Sequence, residues 1–235
     1  LQSWILLLCI STLTVFQHHF IDIITALILS CITFFIFPEN KKRNYRIGLV
    51  YCFFSLLFSL IALLNYQYIS SFGLLILWIS LAVFLVGTAY IKSNSRFLKR
   101  ADGSIDFFKK IIYFPYLFIY KMIWRFARKN TSNPVTEIVP QIFIGAKLNS
   151  KQAKAFINEQ TYIIDLSAEA EEIDFIRHQS KYFSKPLLDI GSVKDEELET
   201  ILRLLKEIHA NIKPDEKIFI HCLMGYSRSV FITVF

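Results

Sequence analysis

Three apolar stretches close to the length of a membrane-crossing helix constrain this chain more than any other feature. Residues 20–38, 47–64 and 72–91 are almost free of charged side chains. A helix needs about 20 predominantly apolar residues to cross the hydrocarbon core of a bilayer. Residues 1–16 are similar to the end of one more such helix. The sequence therefore predicts a bundle of transmembrane helices.

The composition changes along the chain and separates this bundle from a second domain. The whole chain is 54% hydrophobic with a mean hydropathy of +0.44, yet residues 134–217 carry mixed charges as an ordinary globular domain does. We therefore predict three parts. They are transmembrane helices over 1–91, a basic, membrane-proximal linker over 92–133 and a globular domain over 134–235.

The basic residues of the loops predict the orientation of the bundle. Residues 39–46 and 92–100 each contain four Lys or Arg side chains, whereas residues 65–71 contain no charge. Because basic loops stay on the cytoplasmic side of a membrane, we expect an integral membrane protein whose globular domain is cytoplasmic.

The segment 105–129 is open to two interpretations. Its apolar core, residues 111–124, is short, contains Pro115 and is interrupted by Lys121, and basic residues flank it on both sides. This pattern favours a helix that lies in the interface of the inner leaflet. The alternative is a further transmembrane span, which would move the globular domain to the other side of the membrane.

The net charge of +7 is explained by the basic loops and the linker, which favour contact with anionic membrane lipids. The sequence offers no zinc-ligand spacing, aromatic RNA-binding motif or basic helix, and this argues against nucleic acid as a partner. Membrane lipids are therefore the expected partners of the first half of the chain.

Strands and helices alternate in the second half of the chain. Short apolar runs predict strands over 142–145, 161–166, 186–190 and 217–221. Ser150 is expected to cap one helix, and the helix that follows Asp195 places its apolar residues on one face. This order predicts an α/β domain with a central, mostly parallel sheet flanked by helices.

The segment from His221 to Ser229 carries the chemistry that we expect of this domain. It joins the last predicted strand to a helix, which is where ligands bind in open α/β sheets. The N–H groups of such a loop and the helix N-terminus stabilise the thiolate of Cys222, the reactive form of cysteine. Arg228, at the start of that helix, can present two parallel donors to a phosphate group. The segment thus predicts a phosphate site with a cysteine nucleophile.

A nucleophile of this kind also needs an acid that protonates the leaving oxygen. Asp189 ends the preceding apolar strand and can reach the loop from a neighbouring strand. Asp195 is the alternative, although its position favours the first turn of a helix, where a negative charge suits the helix dipole.

The segment HCLMGYSRS resembles the HCxxGxxR[ST] signature of the cysteine-based protein phosphatases, specifically of their dual-specificity branch. Every fixed position of the signature is present. The segment EIVPQIFIGAKLNS, which begins at Glu137, is similar to the opening of the same family's domain. The resemblance covers residues 137–235 and lacks the last helices of the family, so we expect a truncated cysteine-phosphatase domain.

The resemblance implies a role for each position of the loop. Cys222 would attack phosphorus, Arg228 would bind the phosphoryl group and Ser229 would help the thiolate leave in the second step. Gly225 would permit the tight turn, and His221 would support Cys222 from behind. The phosphate-binding loop would be completed by Leu223, Met224, Tyr226 and Ser227. The family needs neither a metal nor a cofactor.

The substrate class is open between a phosphorylated protein and a phospholipid. The variable loop positions contain no Lys or Arg, in contrast to relatives that act on acidic lipids, so the resemblance favours phosphotyrosine or phosphoserine/threonine in proteins. The membrane part favours a phospholipid, because it would hold the site near lipid headgroups. The predicted function is a membrane-anchored phosphomonoester hydrolase of the protein tyrosine/dual-specificity type.

A second motif lies near the start of the chain. Ser11, His18 and Asp22 have the spacing of the last motif of the type 2 phosphatidic acid phosphatases, S-R-x5-H-x3-D, although Thr12 stands in place of its Arg. The resemblance implies that His18 accepts the phosphoryl group and Asp22 orients it. The earlier motifs of that family are absent from this sequence. The layout is similar to bacterial membrane proteins that fuse such a half to a dual-specificity phosphatase, which implies a bacterial inner membrane.

Two alternative functions follow from these motifs. The first is a lipid phosphatase or phosphotransferase centred on His18, with the second domain as a regulator. The second is a non-catalytic module that binds phosphorylated groups at the membrane. The presence of Cys222, Arg228 and Asp189 together argues against this module, because binding alone requires no nucleophile.

Overall fold

The computed structural model of the chain describes residues 43–64, 70–129 and 134–234, together with residues 25, 26, 28–31, 33 and 35. The described residues between 25 and 35 are helical, whereas the span expected over 1–16 lies outside the described residues.

The first two fully described helices, α1 (Arg43–Leu64) and α2 (Ser70–Ile91), pack against each other in antiparallel orientation. Both are long and apolar enough to cross a membrane. Their backbones approach closely, because a Cβ atom on Gly48 would lie 2.6 Å from the carbonyl oxygen of Gly87. Further along, the Ser55 hydroxyl donates to the Ser80 carbonyl at 2.9 Å and the Ser80 hydroxyl donates back to the Ser55 carbonyl at 2.7 Å. Small and hydroxylated residues at the contact are typical of helix pairs in lipid.

The segment expected in the membrane interface forms two helices, α3 (Phe107–Ile112) and α4 (Phe114–Lys129). Phe114 at the start of α4 stacks on Trp78 in the middle of α2, with ring centroids 5.7 Å apart. Ten residues later, the Trp124 indole N–H donates to the Lys147 carbonyl of the globular domain at 3.2 Å. Helix α4 therefore connects the apolar helices to the domain that follows.

A five-stranded sheet forms the centre of the globular domain. Its strands are β1 (Val135–Val139), β2 (Ile142–Ala146), β3 (Thr161–Ser167), β4 (Tyr182–Leu187) and β5 (Lys217–Cys222), in the spatial order β1-β2-β5-β3-β4. Only the edge pair β1–β2 is antiparallel, and the other pairs are parallel. The central run Ile218, Phe219 and Ile220 is buried on both faces, as parallel strands are.

Helices cover both faces of this sheet. On one face, Ile201 and Ile208 of α7 (Asp195–Asn211) pack against Ile164 and Ile220. The opposite face is covered by the short helices α5 (Ser150–Phe156) and α6 (Asp174–Arg177), and α8 (Arg228–Thr233) follows β5. The prediction of a mostly parallel sheet flanked by helices is confirmed.

Two local expectations were wrong. The strand expected over 186–190 runs instead over Tyr182–Leu187, so Asp189 lies in the loop beyond it. Helix α5 is capped by Asn149 and not by Ser150, because the Asn149 side chain accepts from the Gln152 N–H at 2.9 Å and the Gln152 side chain returns a capping-box contact.

An apolar cluster joins the helices α1 and α2 to the globular domain. It unites side chains of α1, α2, the 92–106 segment, α4 and the loop after β4, namely Ile47, Val86, Ala89, Tyr90, Phe97, Leu98, Ile105, Tyr116 and Leu188. The loop that carries Asp189 is therefore packed against the ends of the two apolar helices.

Candidate active site

The carboxyl ends of the parallel strands bring the predicted site residues to one edge of the sheet. Cys222, the last residue of β5, is paired with Ala146 of β2, and His221 is paired with Asp165 of β3. This is the edge at which open α/β sheets bind ligands.

The loop between β5 and α8 folds back on Cys222 because of a glycine. Gly225 has φ +81°, and a Cβ atom there would lie 2.6 Å from the Ala146 nitrogen and 2.7 Å from the Gly145 carbonyl carbon. Both the left-handed backbone and the close contact with β2 require glycine at this position. The turn directs the Gly225 N–H to the Cys222 Sγ at 3.2 Å.

The predicted nucleophile and its predicted hydroxyl partner are adjacent. Cys222 is 2% exposed, and its Sγ lies 3.7 Å from the Oγ of the fully buried Ser229. Among the variable positions of the loop, Leu223 is buried, Met224 is half-buried and Tyr226 and Ser227 are exposed.

Arg228 is held by a carboxylate that the sequence analysis did not single out. Its guanidinium forms a bidentate contact with Glu169, in which both Nη1 and Nη2 donate to the carboxylate, and the distance from Nη1 to Oε2 is 2.7 Å. Nη1 also donates to the Leu187 carbonyl at 3.0 Å. The buried Nε has no partner among the described residues. Glu169 therefore fixes the plane of the guanidinium, and one buried donor of Arg228, Nε, is left unpaired among the described residues.

The predicted acid lies beside this arginine. The Asp189 Oδ1 is 3.3 Å from the Arg228 Nη2. Burial raises the pKa of Asp189, and the nearby Glu169 carboxylate adds to the increase, whereas Arg228 opposes it. Asp189 thus keeps its proton to a higher pH than an ordinary aspartate. The alternative acid Asp195 is the first residue of α7, in an acidic first turn.

Residues of the two apolar helices hold the loop that carries Asp189. The Tyr90 hydroxyl donates to the Asp189 carbonyl at 2.7 Å. The Asn44 side chain accepts from the Ser192 N–H at 2.7 Å and donates to the Ser192 carbonyl at 2.9 Å. Both ends of the 189–192 loop are therefore tied to side chains from outside the sheet.

His221 lies behind the cysteine, fully buried and stacked on Phe219 with ring centroids 5.1 Å apart. Burial lowers the pKa of His221 despite the nearby carboxylates of Asp165 and Glu172. The lowered pKa favours the neutral form of this buried ring.

The three side chains Asp165, Glu172 and His221 place possible metal-ligand atoms within 4.8 Å of one another. Each carboxylate already has a buried cationic partner, because Lys99 Nζ lies 2.5 Å from Asp165 and Lys147 Nζ lies 2.6 Å from Glu172. Lys99 keeps the pKa of Asp165 low although burial alone would raise it. The cluster is therefore a buried polar network beneath the loop that carries Cys222, in which a lysine pairs with each carboxylate.

The predicted second site, Ser11, His18 and Asp22, lies outside the described residues. Comparisons of the chain with protein-family models, with curated proteins and with solved structures gave no match.

Glu169 and Glu172 could have been found from the sequence. They belong to the run Ala168-Glu169-Ala170-Glu171-Glu172, which directly follows a predicted buried strand. Acidic residues at the carboxyl end of a parallel strand lie at the ligand-binding edge. Lys99 gives no such signal, because it reaches Asp165 from a segment 66 residues earlier.

Proposed function

We propose that this protein is a membrane-anchored phosphomonoester hydrolase that acts through a cysteinyl-phosphate intermediate. The observation that carries the proposal is Cys222 in a loop folded by Gly225, next to an arginine whose orientation Glu169 fixes. Neither a metal nor a cofactor enters the proposed reaction.

The first step transfers the phosphoryl group to sulfur. The Cys222 thiolate attacks phosphorus, the bond to the ester oxygen breaks, and Asp189 gives its proton to the leaving alcohol. Arg228 stabilises the charge on the phosphoryl oxygens, for which its unpaired Nε is available. The raised pKa of Asp189 suits this role, because a general acid must hold its proton at the working pH.

The second step releases phosphate. Water attacks the cysteinyl phosphate, the S–P bond breaks, and Asp189, now ionised, accepts the proton of the water. The Ser229 hydroxyl, 3.7 Å from Sγ, can donate to the departing thiolate. Inorganic phosphate and the alcohol are the products, and the cysteine is regenerated.

The proposed location is a bacterial inner membrane with the catalytic domain in the cytoplasm. The basic loops on either side of α1 and α2 support this orientation. The resemblance of the first residues to type 2 phosphatidic acid phosphatases supports a membrane half related to that superfamily.

The test is to trap the intermediate. The full chain in detergent, with reductant and a metal chelator, is mixed with p-nitrophenyl phosphate and quenched within the first turnover. We expect mass spectrometry to find a phosphoryl group on the peptide that contains Cys222. Hydrolysis with the phosphoryl group on His18 would favour the lipid phosphatase alternative, and a folded chain without hydrolysis would favour the binding module.

Asp189→Asn is expected to slow the first step by about 10²- to 10⁴-fold for alkyl phosphates, which have poor leaving groups, and far less for p-nitrophenyl phosphate. The kcat of the wild-type protein falls as pH rises through the pKa of Asp189, because the ionised acid cannot protonate the leaving group. Asp189→Asn should lack this alkaline decline. The pH profile of kcat for both substrates, with Asp195→Asn as the matched control, distinguishes the two candidate acids. An equal loss on both substrates would remove Asp189 from the role.

A further inference from the structure

A cavity of about 680 Å³ lies between α4 and the carboxyl edge of the sheet, and it reaches the catalytic loop. Leu223, next to the nucleophile, and Glu169, which holds Arg228, both line it. This volume is that of a small-molecule binding site. The cavity is therefore continuous with the surroundings of the proposed reaction centre.

The lining of this cavity changes from apolar to cationic along α4. The first turns of the helix contribute Phe114, Leu117 and Phe118, and the following turns contribute Lys121 and Arg125. These two cations form no ion pair with a carboxylate among the residues that the structure describes, in contrast to Lys110 and Lys147, which are paired. The two carboxylates of the lining, Glu169 and Glu171, are paired with Arg228 and Lys110, so along α4 the cavity offers an apolar part and a cationic part to one ligand.

The apolar part of the cavity borders α2, one of the two helices that are long and apolar enough to cross a membrane. Phe114 stacks on Trp78, which lies in α2 about 20 Å before its end at Ile91, at 1.5 Å per residue. Around this contact α2 exposes large apolar side chains such as Leu74 and Leu81. An acyl chain lying against α2 would therefore meet the start of α4 without crossing a polar surface.

We propose that the substrate of Cys222 is a phospholipid whose headgroup carries a phosphate monoester, and that this cavity binds it. The proposal rests on the hydrolase function proposed above. An acyl chain lies against Phe114 and Phe118, Lys121 and Arg125 attract the anionic headgroup, and the phosphate reaches Cys222. The P–O bond breaks, the lipid alcohol takes the Asp189 proton and remains in the membrane, and water later releases phosphate from sulfur.

A phosphopeptide fits the apolar part of this cavity less well than an acyl chain does. The backbone N–H and C=O groups of a peptide need hydrogen-bond partners when they lose water, and the side chains of Phe114, Leu117 and Phe118 supply none. An acyl chain needs no such partners and gains free energy from apolar contact.

The first experiment compares substrates on the full chain in mixed micelles. The probes are dioleoyl phosphatidic acid, dioleoyl phosphatidylinositol 4-phosphate, glycerol 3-phosphate, a phosphotyrosyl peptide and p-nitrophenyl phosphate. We expect kcat/KM for at least one of the two lipids to exceed that of glycerol 3-phosphate and of the peptide by about a hundredfold or more. Peptide hydrolysis that equals or exceeds that of both lipids overturns the lipid proposal but leaves the hydrolase function intact. If the folded, unchanged chain does not hydrolyse p-nitrophenyl phosphate either, the result contradicts the hydrolase function itself.

The second experiment tests the cavity with matched variants of α4. Phe118 lines the cavity and Met122 does not, although their side chains are equally exposed, at 50% and 51%. Phe118→Ser should lower the ratio of lipid to p-nitrophenyl phosphate kcat/KM by about tenfold or more, and Met122→Ser should leave the ratio within about twofold. Equal losses in both variants would show that α4 acts through general membrane contact and would overturn the proposed cavity.

The cationic part has its own pair of variants. Arg125→Glu should lower the same ratio by about tenfold, because it repels the anionic headgroup. Lys129→Glu makes the same charge change on the same helix outside the cavity, and it should have little effect. A similar loss from Lys129→Glu would attribute the effect to the overall charge and contradict a bound headgroup.

Discussion

Cys222→Ser is expected to lower kcat for p-nitrophenyl phosphate by about four orders of magnitude or more, as the loss of a catalytic nucleophile does in other covalent enzymes. The serine hydroxyl is a much weaker nucleophile than a thiolate, and Ser229 offers no second base to activate it. Binding of inorganic phosphate should persist, because Arg228 and the Gly225 turn do not depend on the sulfur.

The control for this variant is Cys52→Ser, which changes a cysteine in α1, where its Sγ lies close to Gly87 of α2. It should keep full catalytic activity. Phosphate binding can be followed by competition with vanadate or by calorimetry. Measurable turnover by Cys222→Ser, at more than about a hundredth of the wild-type rate, would rule out the cysteine mechanism.

Lys99→Met is expected to lower the free energy of unfolding by about 3–5 kcal/mol, the cost of leaving one member of a buried ion pair without its partner. Both side chains of the Lys99–Asp165 pair are completely buried. The remaining contacts to Asp165, from Ser167 and Tyr182, do not neutralise its charge. Chemical denaturation of the detergent-solubilised chain measures the change.

Two further variants define the origin of this loss. Asp165→Asn, added to Lys99→Met, should recover much of the stability, because it removes the uncompensated charge. Arg100→Met breaks the neighbouring but exposed pair with Asp106, and it should cost less than about 1 kcal/mol. The single variant Asp165→Asn is measured as well. If the double variant loses as much stability as Lys99→Met and Asp165→Asn lose together, the two residues are not a coupled pair.

The sequence was sufficient to predict the parts of the fold that depend on local pattern. Of the three apolar runs predicted to cross a membrane, those over 47–64 and 72–91 form long apolar helices, and the apolar runs of the second half predicted the central strands. Because parallel strands end at a common edge, the order of elements also placed Cys222 and Asp189 at the same edge of the sheet, although β3 lies between their strands. The position of Arg228 relative to Cys222 follows from the short loop between β5 and α8.

The contacts that the sequence did not predict are those between distant segments. Glu169 meets Arg228 across 59 residues, and Tyr90 meets Asp189 across 99 residues. No periodicity or spacing encodes such pairs, because they arise only when the sheet and the two helices have packed together. The cavity beside α4 also arises only from this packing. It supports a phospholipid as the proposed substrate, whereas the variable residues of the loop alone favoured a phosphoprotein.

The ties between the 189–192 loop and the two apolar helices have a consequence for the cell. Asn44 and Tyr90 hold the loop of the proposed acid, Asp189, from the helix ends, and Lys99 completes the polar network beneath the proposed nucleophile. A chain in which α1 and α2 have not packed in this way would lack these supports. If the protein is the proposed hydrolase, its activity would therefore depend on correct insertion of the two helices.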